Sequence, residues 1–324
     1  MEKQGGTTFN KASNILSKYS IFFILIIFII VCSVANPKFF TATNLINVLR
    51  QQSVIIMLAL GEMVLIICGM LDLSCGAVIA FAGVLSVAAY KAVPNMFVAF
   101  GVGIAVALLC NGASGLMVTK FKTPPFIATL AIQTIARGGA LFYTTGQNIY
   151  EIGQYKTVGQ GSVGPVPIPV IIMLVLFGIM FFIMRYTRFG RSTYAVGGNE
   201  EAANASGIKV NSIKMKAYLL NGVLVGIAAV VFMSRVNGGL PNGAQSYEFD
   251  ALTATIIGGT SFSGGVGTAW GTIIGAFIVG FLNNIMNLMS VNSYVQQIVR
   301  GVIIAGAVMW DIYSKTKQTH KKSR

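Results

Sequence analysis

Apolar runs near membrane-crossing length recur about ten times along this chain, and the polar segments between them are too short to build a soluble core. A helix needs about 20 apolar residues to cross the hydrocarbon layer of a bilayer. Candidate runs lie at Tyr19–Ala35, Ser53–Cys68, Ser74–Val93, Met96–Thr119, Phe126–Thr145, Val166–Arg185, Ile213–Arg235, Ala251–Phe262, Thr268–Met289 and Tyr294–Ile312. They predict an all-α, polytopic membrane helix bundle of about ten transmembrane helices. Composition agrees: 55% of residues are apolar and 10% charged, against about 25% charged in ordinary soluble domains. The run at Ala251 is short for a simple span, so we read it as broken or as borrowing the Gly-rich turn after it. Ser33-Val34-Ala35 has the small residues of a signal cleavage site. The preceding run is long for a signal core, and we read it as an uncleaved first span.

The net charge of +14 would suggest nucleic acid in a soluble protein. Its placement argues against that. Basic residues cluster at Lys3, Lys11 and Lys18; at Lys120 and Lys122; between Arg185 and Lys216; and at Lys315, Lys317, Lys321, Lys322 and Arg324. With the N-terminus inside and the spans alternating, all four clusters fall on the cytoplasmic side, as the positive-inside rule requires. Both termini are then cytoplasmic, and the Ala251 run has to cross. Gly146–Pro165 and the base-free Val236–Asp250 fall outside. The chain reads as one membrane domain, 1–324: a cytoplasmic tail (1–18), six spans (19–185), a cytoplasmic loop (186–212), four spans (213–312) and a basic cytoplasmic tail (313–324).

Cys32, Cys68, Cys75 and Cys110 lie in or beside apolar runs and read as small hydrophobes. The one histidine, His320, sits in the basic tail. There is no metal-ligand cluster and no nucleophile–base pair, so no catalytic residue and no metal site is assigned. Gly267, Gly271 and Gly275 recur every four residues, a spacing that lets helices approach closely in lipid.

Polar residues inside apolar runs are costly and need partners. Glu62 and Arg137 are two such residues. Arg137, with Gln133 one turn away, fits either the wall of a solute pathway or a buried pair with Glu62. Asn283 and Asn287 share a helix face, with Asn284 beside them. Their amides suit sugar hydroxyls or helix-to-helix hydrogen bonds. Asp72 fits a cap for a helix beginning at Ser74, near the cytoplasmic side. Leu73-Ser74-Cys75-Gly76 has a faint echo in Phe262-Ser263-Gly264-Gly265, too short to establish a repeat.

The long basic loop holds a different signal. Asn199 is a good N-cap, Glu200 and Glu201 suit a first turn, Ala202 and Ala203 favour helix, and Gly207 is a good C′ residue. A helix of about two turns over Glu200–Ile208 is predicted. So short a helix is not stable in isolation and needs something to hold it.

Glu201-Ala202-Ala203 followed by Gly207 resembles the Glu-Ala-Ala loop of ATP-binding-cassette (ABC) importer permeases. Gly69-Met70-Leu71-Asp72-Leu73-Ser74-Cys75-Gly76, Tyr247-Glu248-Phe249-Asp250-Ala251 and Ile257-Gly258-Gly259-Thr260-Ser261 resemble motifs of the ribose/galactose branch, in the same order. Met70, Cys75 and Phe249 depart from that pattern and leave the cargo open. The resemblance implies a type II-like permease fold, whose Asn199–Gly207 segment docks on an ABC ATPase subunit. It marks Asp72, Ser74, Gly76, Tyr247, Glu248 and Asp250 as motif positions. It further implies a bacterial cytoplasmic membrane location amid lipid, a second permease copy and an extracytoplasmic sugar-binding protein. The chain has no Gly-x-x-x-x-Gly-Lys-Ser/Thr loop, so ATP-Mg is expected on the partner and no cofactor on this chain. Branched-chain amino-acid permeases share the architecture and are the nearest alternative. An ion-coupled transporter would need intramembrane acids, for which only Glu62 and Asp72 qualify.

Overall fold

The computed structural model describes residues 6–322, with side chains from 21 to 313. Thirteen α-helices make up nearly all of it. They are α1 (Gly6–Ala35), α2 (Ala42–Ile67), α3 (Cys75–Ala92), α4 (Met96–Thr119), α5 (Pro125–Thr144), α6 (Thr157–Gln160), α7 (Ile168–Tyr186), α8 (Arg188–Gly198), α9 (Glu200–Ala205), α10 (Val210–Arg235), α11 (Tyr247–Ile257), α12 (Ala269–Leu288) and α13 (Ser293–Lys322). A two-residue hairpin, β1 (Ser162–Val163) with β2 (Val166–Pro167), precedes α7. Among the described residues, eight helices are long and apolar enough to cross a membrane, and Ile21–Ala35 of α1 is a shorter apolar stretch. The chain is an all-α polytopic membrane protein.

Local sequence explains the helix starts. The side chains of Thr41, Asn95 and Thr268 accept the N–H groups of Asn44, Phe97 and Gly271, satisfying amides that have no partner inside the helix. Pro125 and Pro169 stand in the first turns of α5 and α7, where the missing N–H costs nothing.

The bundle is layered. α2 and α10 form its centre and are buried over most of their length, whereas α4, α5, α7 and α13 expose broad apolar faces. In a membrane these faces meet lipid or another apolar surface. Glycine permits the closest approaches. A Cβ on Gly226 of α10 would lie 2.5 Å from the Ile104 Cα of α4. On α12, Cβ atoms at Gly271 and Gly275 would each lie 2.0 Å from a carbonyl oxygen, of Gly258 and Ala254. Close packing therefore accounts for those two glycines. Gly267 lies before α12 begins, so the three do not share one helix.

Two loop clusters mark opposite ends of the bundle. In one, Ile149 and Gly239 exchange backbone hydrogen bonds, and the Gly159 N–H donates to the Ser234 hydroxyl. This end joins the two segments expected outside. In the other, the Lys122 ammonium donates to Asn211, and the Gly265 N–H donates to the Ile67 carbonyl. The Asp311 carboxylate of α13 accepts from Ser261 and Phe262 at the same end.

Several expectations need correction. The second span begins at Ala42, eleven residues before the expected Ser53. The first helix runs back to Gly6 and the last runs on to Lys322, so both tails are partly helical. The loop at 186–212 contains an unforeseen 11-residue helix, α8. The predicted helix over Glu200–Ile208 closes at Ala205.

Candidate functional site

α9 is a short helix whose ends are both specified locally. The Asn199 side chain accepts the Ala202 N–H at 2.9 Å, and Gly207 sits at φ +83°. The Gly207 and Ile208 amides donate to the Asn204 and Ala203 carbonyls, closing the C-terminus. Glu200 pairs with Lys214 of α10 at 2.6 Å. Ala203 is the one buried residue of the helix, while Glu200, Glu201, Ala202, Asn204, Ala205 and Gly207 are exposed. Thus α9 is pinned by one alanine and one ion pair and presents the rest of its surface outward. A groove between it and the start of α10 is lined by Lys122, Glu201, Asn204 and Lys209.

Behind α9, α8 meets the bundle at a glycine seam. A Cβ on Gly197 would lie 1.6 Å from the Ile67 carbonyl oxygen and 2.7 Å from the Gly265 nitrogen. No side chain fits there. The Tyr194 hydroxyl of α8 donates to the Gly267 carbonyl at 2.8 Å. Burial pushes its pKa up, with Arg185 opposing, so it remains a protonated donor. Through these contacts α8 touches the end of α2 and the loop before α12.

The second constellation lies inside the bundle. Gly69, at φ +76°, turns the chain back after α2, so residues 70–74 fold into the protein rather than staying at its surface. Asp72 and Ser74 are completely buried. The Asp72 N–H donates to Glu62 at 2.9 Å. Its carboxylate accepts the Ser74 N–H and hydroxyl at 2.7 and 2.5 Å, and the Asn221 amide at 2.8 Å. Ser74, not Asp72, holds the N-cap position of α3. The same Asn221 amide donates to Asn111 at 2.9 Å. Gly76 lies against Glu248: a Cβ there would sit 2.2 Å from its Oε2 and 2.5 Å from the Ala244 carbonyl. Two of the resembling motifs, distant in sequence, thus meet in space.

Arg137 does not pair with Glu62. Its Nη1 donates to the Pro241 and Gly243 carbonyls at 2.7 and 2.9 Å, bracing the loop that leads into α11. Gln133 is half-buried one turn away on α5. The Asn283 Oδ1 accepts from Arg300 at 3.1 Å, Asn284 exchanges two hydrogen bonds with Asn44, and the Asn287 Oδ1 accepts from Gln296 at 3.0 Å. Helix-to-helix bonding therefore occupies all three amides. Asp250, also buried, faces Arg300 at 3.7 Å. Tyr247 accepts from Arg235 at 3.0 Å. Asn111, Asn221 and Gly197 were not singled out from sequence. The first two carried a usable signal, an amide inside an apolar run.

The described residues form a bundle of apolar-faced helices with an exposed, capped helix at one end, the architecture of a polytopic membrane protein. The sequence model of the family described as "Branched-chain amino acid transport system / permease component" matches residues 44–308. The ribose import permease of Haemophilus influenzae is 39% identical over 302 residues, covering 92% of this chain and 94% of that protein. The ribose import permease of Bacillus subtilis is 39% identical, covering 92% and 93%. The D-allose transport system permease of Escherichia coli is 33% identical, covering 91% of each. The chain belongs to this family of ABC importer permeases. No solved structure gives a significant match.

Proposed function

We propose that this chain is the membrane-spanning permease of a binding-protein-dependent importer for ribose or a closely similar monosaccharide. The observation that carries the proposal is the pairing of high identity to sugar permeases over nine-tenths of the chain with an exposed, doubly capped α9. Asn199, Glu200, Glu201, Ala202 and Gly207 form the surface that docks on a separate ATPase subunit, with the buried Ala203 anchoring the helix beneath them. That subunit holds ATP-Mg, and this chain binds no cofactor. The family description mentions branched-chain amino acids, but the ribose and D-allose permeases similar to this chain carry sugar names, which favours a sugar.

In this reading the helices make ten crossings, with α11 and the turn after it completing the eighth. Both termini are cytoplasmic, and α8, α9 and the loop before α12 share that side. The membrane is the bacterial cytoplasmic membrane. Two copies stand side by side, with Gln133 and Arg137 beside the path between them. Asp72, Ser74, Gly76, Tyr247, Glu248 and Asp250 hold the two motif segments together. ATP-driven movement of α9 passes through the Gly197 seam to α2, switching access to the path from outside to inside. The binding protein meets the opposite end, around 146–165 and 236–246.

The test is co-purification of the tagged chain from its native membrane in mild detergent. An ATPase and a sugar-type binding protein should be recovered, and ribose should raise the melting temperature of that binding protein. Replacing Glu200–Ala205 with Gly/Ser should lose the ATPase and retain a folded chain. Recovery of the chain alone, with α9 intact, would point instead to an ion-coupled transporter.

A further inference from the structure

A cleft of about 730 Å³ opens where α7 ends, α8 begins and α12 begins. Arg185 and Arg191 line it, together with Phe181, Tyr186, Tyr194 and Trp270. No acidic side chain lines it, and among the described residues neither arginine makes an ion pair. The Arg191 Nη1 reaches only the Tyr186 carbonyl, at 3.4 Å. Ala269 and Trp270 also line the cleft, so the positive end of the 20-residue α12 lies at its edge. Trp270 packs edge-on to Phe177 at 4.7 Å between ring centroids, yet is 53% exposed. On the α7 side of Arg185 the helix is apolar back to Ile168, while α8 beyond it is polar. The cleft thus straddles an apolar-to-polar boundary, basic at one end and aromatic at the other. A ligand matched to it has an anionic head and an apolar body.

We propose that this cleft binds an anionic phospholipid, with the phosphodiester between Arg185 and Arg191 and the upper acyl carbons against Phe181 and Trp270. Guanidinium groups suit phosphate oxygens, and aromatic rings suit the headgroup level. A free phosphate would satisfy the arginines and leave the aromatic half of the cleft without a counterpart. The fit is the same in whichever leaflet this end of the bundle lies. A lipid held here would bridge α7, α8 and α12, the helices on either side of the glycine seam.

The chain has two tryptophans, so Trp310→Phe leaves Trp270 as its sole reporter. The full chain is reconstituted in phosphatidylcholine vesicles containing either phosphatidylglycerol or phosphatidylcholine with brominated chains, and Trp270 quenching is measured. Each basic side chain near anionic lipid contributes about fivefold. With two arginines in the cleft, we expect brominated phosphatidylglycerol to quench at a mole fraction lower by roughly 25-fold. Arg185→Gln with Arg191→Gln should remove the preference, while Arg188→Gln, outside the cleft, should keep it. Thermal unfolding checks that the double variant is folded; if it is not, Arg191→Gln alone should reduce the preference. Equal quenching by the two lipids overturns the proposal. So does the absence of quenching by either, which would place the cleft beneath a protein partner. Competition by inorganic phosphate or glycerophosphoglycerol would make this a site for a soluble phosphoryl anion and overturn the lipid assignment.

Discussion

Asn221 holds three parts of the chain together with one amide group. Its Nδ2 donates to Asp72 from the returning loop and to Asn111 of α4, from a position 1% exposed. Removing it leaves a buried carboxylate oxygen and a buried amide oxygen unpaired, at about 1–3 kcal/mol for each. Asn221→Ala should therefore lower stability by about 2 kcal/mol or more. Thermal unfolding in detergent should register a clear fall, and Asn111→Ala a smaller one because Asp72 keeps its partner. Unchanged melting in Asn221→Ala would show that the network does not hold the fold. Arg137 makes a more local contribution, since both of its hydrogen bonds go to the loop at 241–243. Arg137→Gln should speed amide exchange in 238–246 and leave α2 and α10 protected. Exchange that rose throughout the bundle would mean that Arg137 supports the core instead. At this scale the sequence revealed which residues matter but not whom they touch. Glu62 and Arg137 were legible as intramembrane charges, yet their mutual pairing failed. Residue spacing does not reveal that the chain turns back at Gly69 and carries Asp72 to Glu62 first.

Among the elements, legibility follows how local the determinants are. α9 could be read because Asn199, the two glutamates and Gly207 lie within nine residues, and each acts on its own neighbours. Its length was overestimated because Gly207 closes the helix three residues early: it ends at Ala205 and Ser206 is already the C-cap. α8 was missed because its stability comes from elsewhere. Its buried residues, Gly190, Thr193 and Val196, depend on surfaces that other elements supply: Gly190 lies against the Ile183 and Met184 carbonyls of α7, and Gly197 near the end of the helix against Ile67 of α2 and Gly265. These differences predict distinct phenotypes. Gly207→Val places a β-branched residue at φ +83°, where a left-handed conformation costs roughly 1–2 kcal/mol. The bundle should melt unchanged, since that position is exposed, while recovery of the ATPase falls. Gly197→Ala sets a methyl against the Ile67 carbonyl and should force α8 away from α2. With α9 itself intact, the ATPase should still bind, but ATP hydrolysis should uncouple from transport in vesicles. Loss of ATPase binding in Gly197→Ala would indicate that α8 is part of the docking surface rather than a connection behind it.

At the scale of the whole molecule, the ten-crossing arrangement depends on α11, an 11-residue helix about 16 Å long at 1.5 Å per residue. That is about half the hydrocarbon thickness. It suffices if the chain on either side is already inside the bundle, and two contacts suggest that it is. Arg137, well inside α5, grips residues 241 and 243 just before α11, and Gly76 at the start of α3 packs on Glu248. After α11, the turn through Gly258–Thr268 reaches Ile67 and Gly197 at the other end. In the proposed ten-crossing arrangement the crossing would be shared between an inward-dipping loop, a short helix and a turn, none of which a hydropathy reading alone counts as a span. Cysteine labelling tests this directly. Cys32, Cys68 and Cys75 are buried, so replacing Cys110 with serine leaves a low background. Exposed positions Glu151, Asn204 and Ser263 then receive single cysteines. An impermeant thiol reagent on intact cells should label Glu151→Cys alone, and all three should label once the membrane is made leaky. If Ser263→Cys reacted in intact cells while Asn204→Cys did not, α11 would not complete a crossing. The loop before α12 would then lie on the opposite side from α8, which its hydrogen bonds to Ile67 and Tyr194 forbid in a single folded chain.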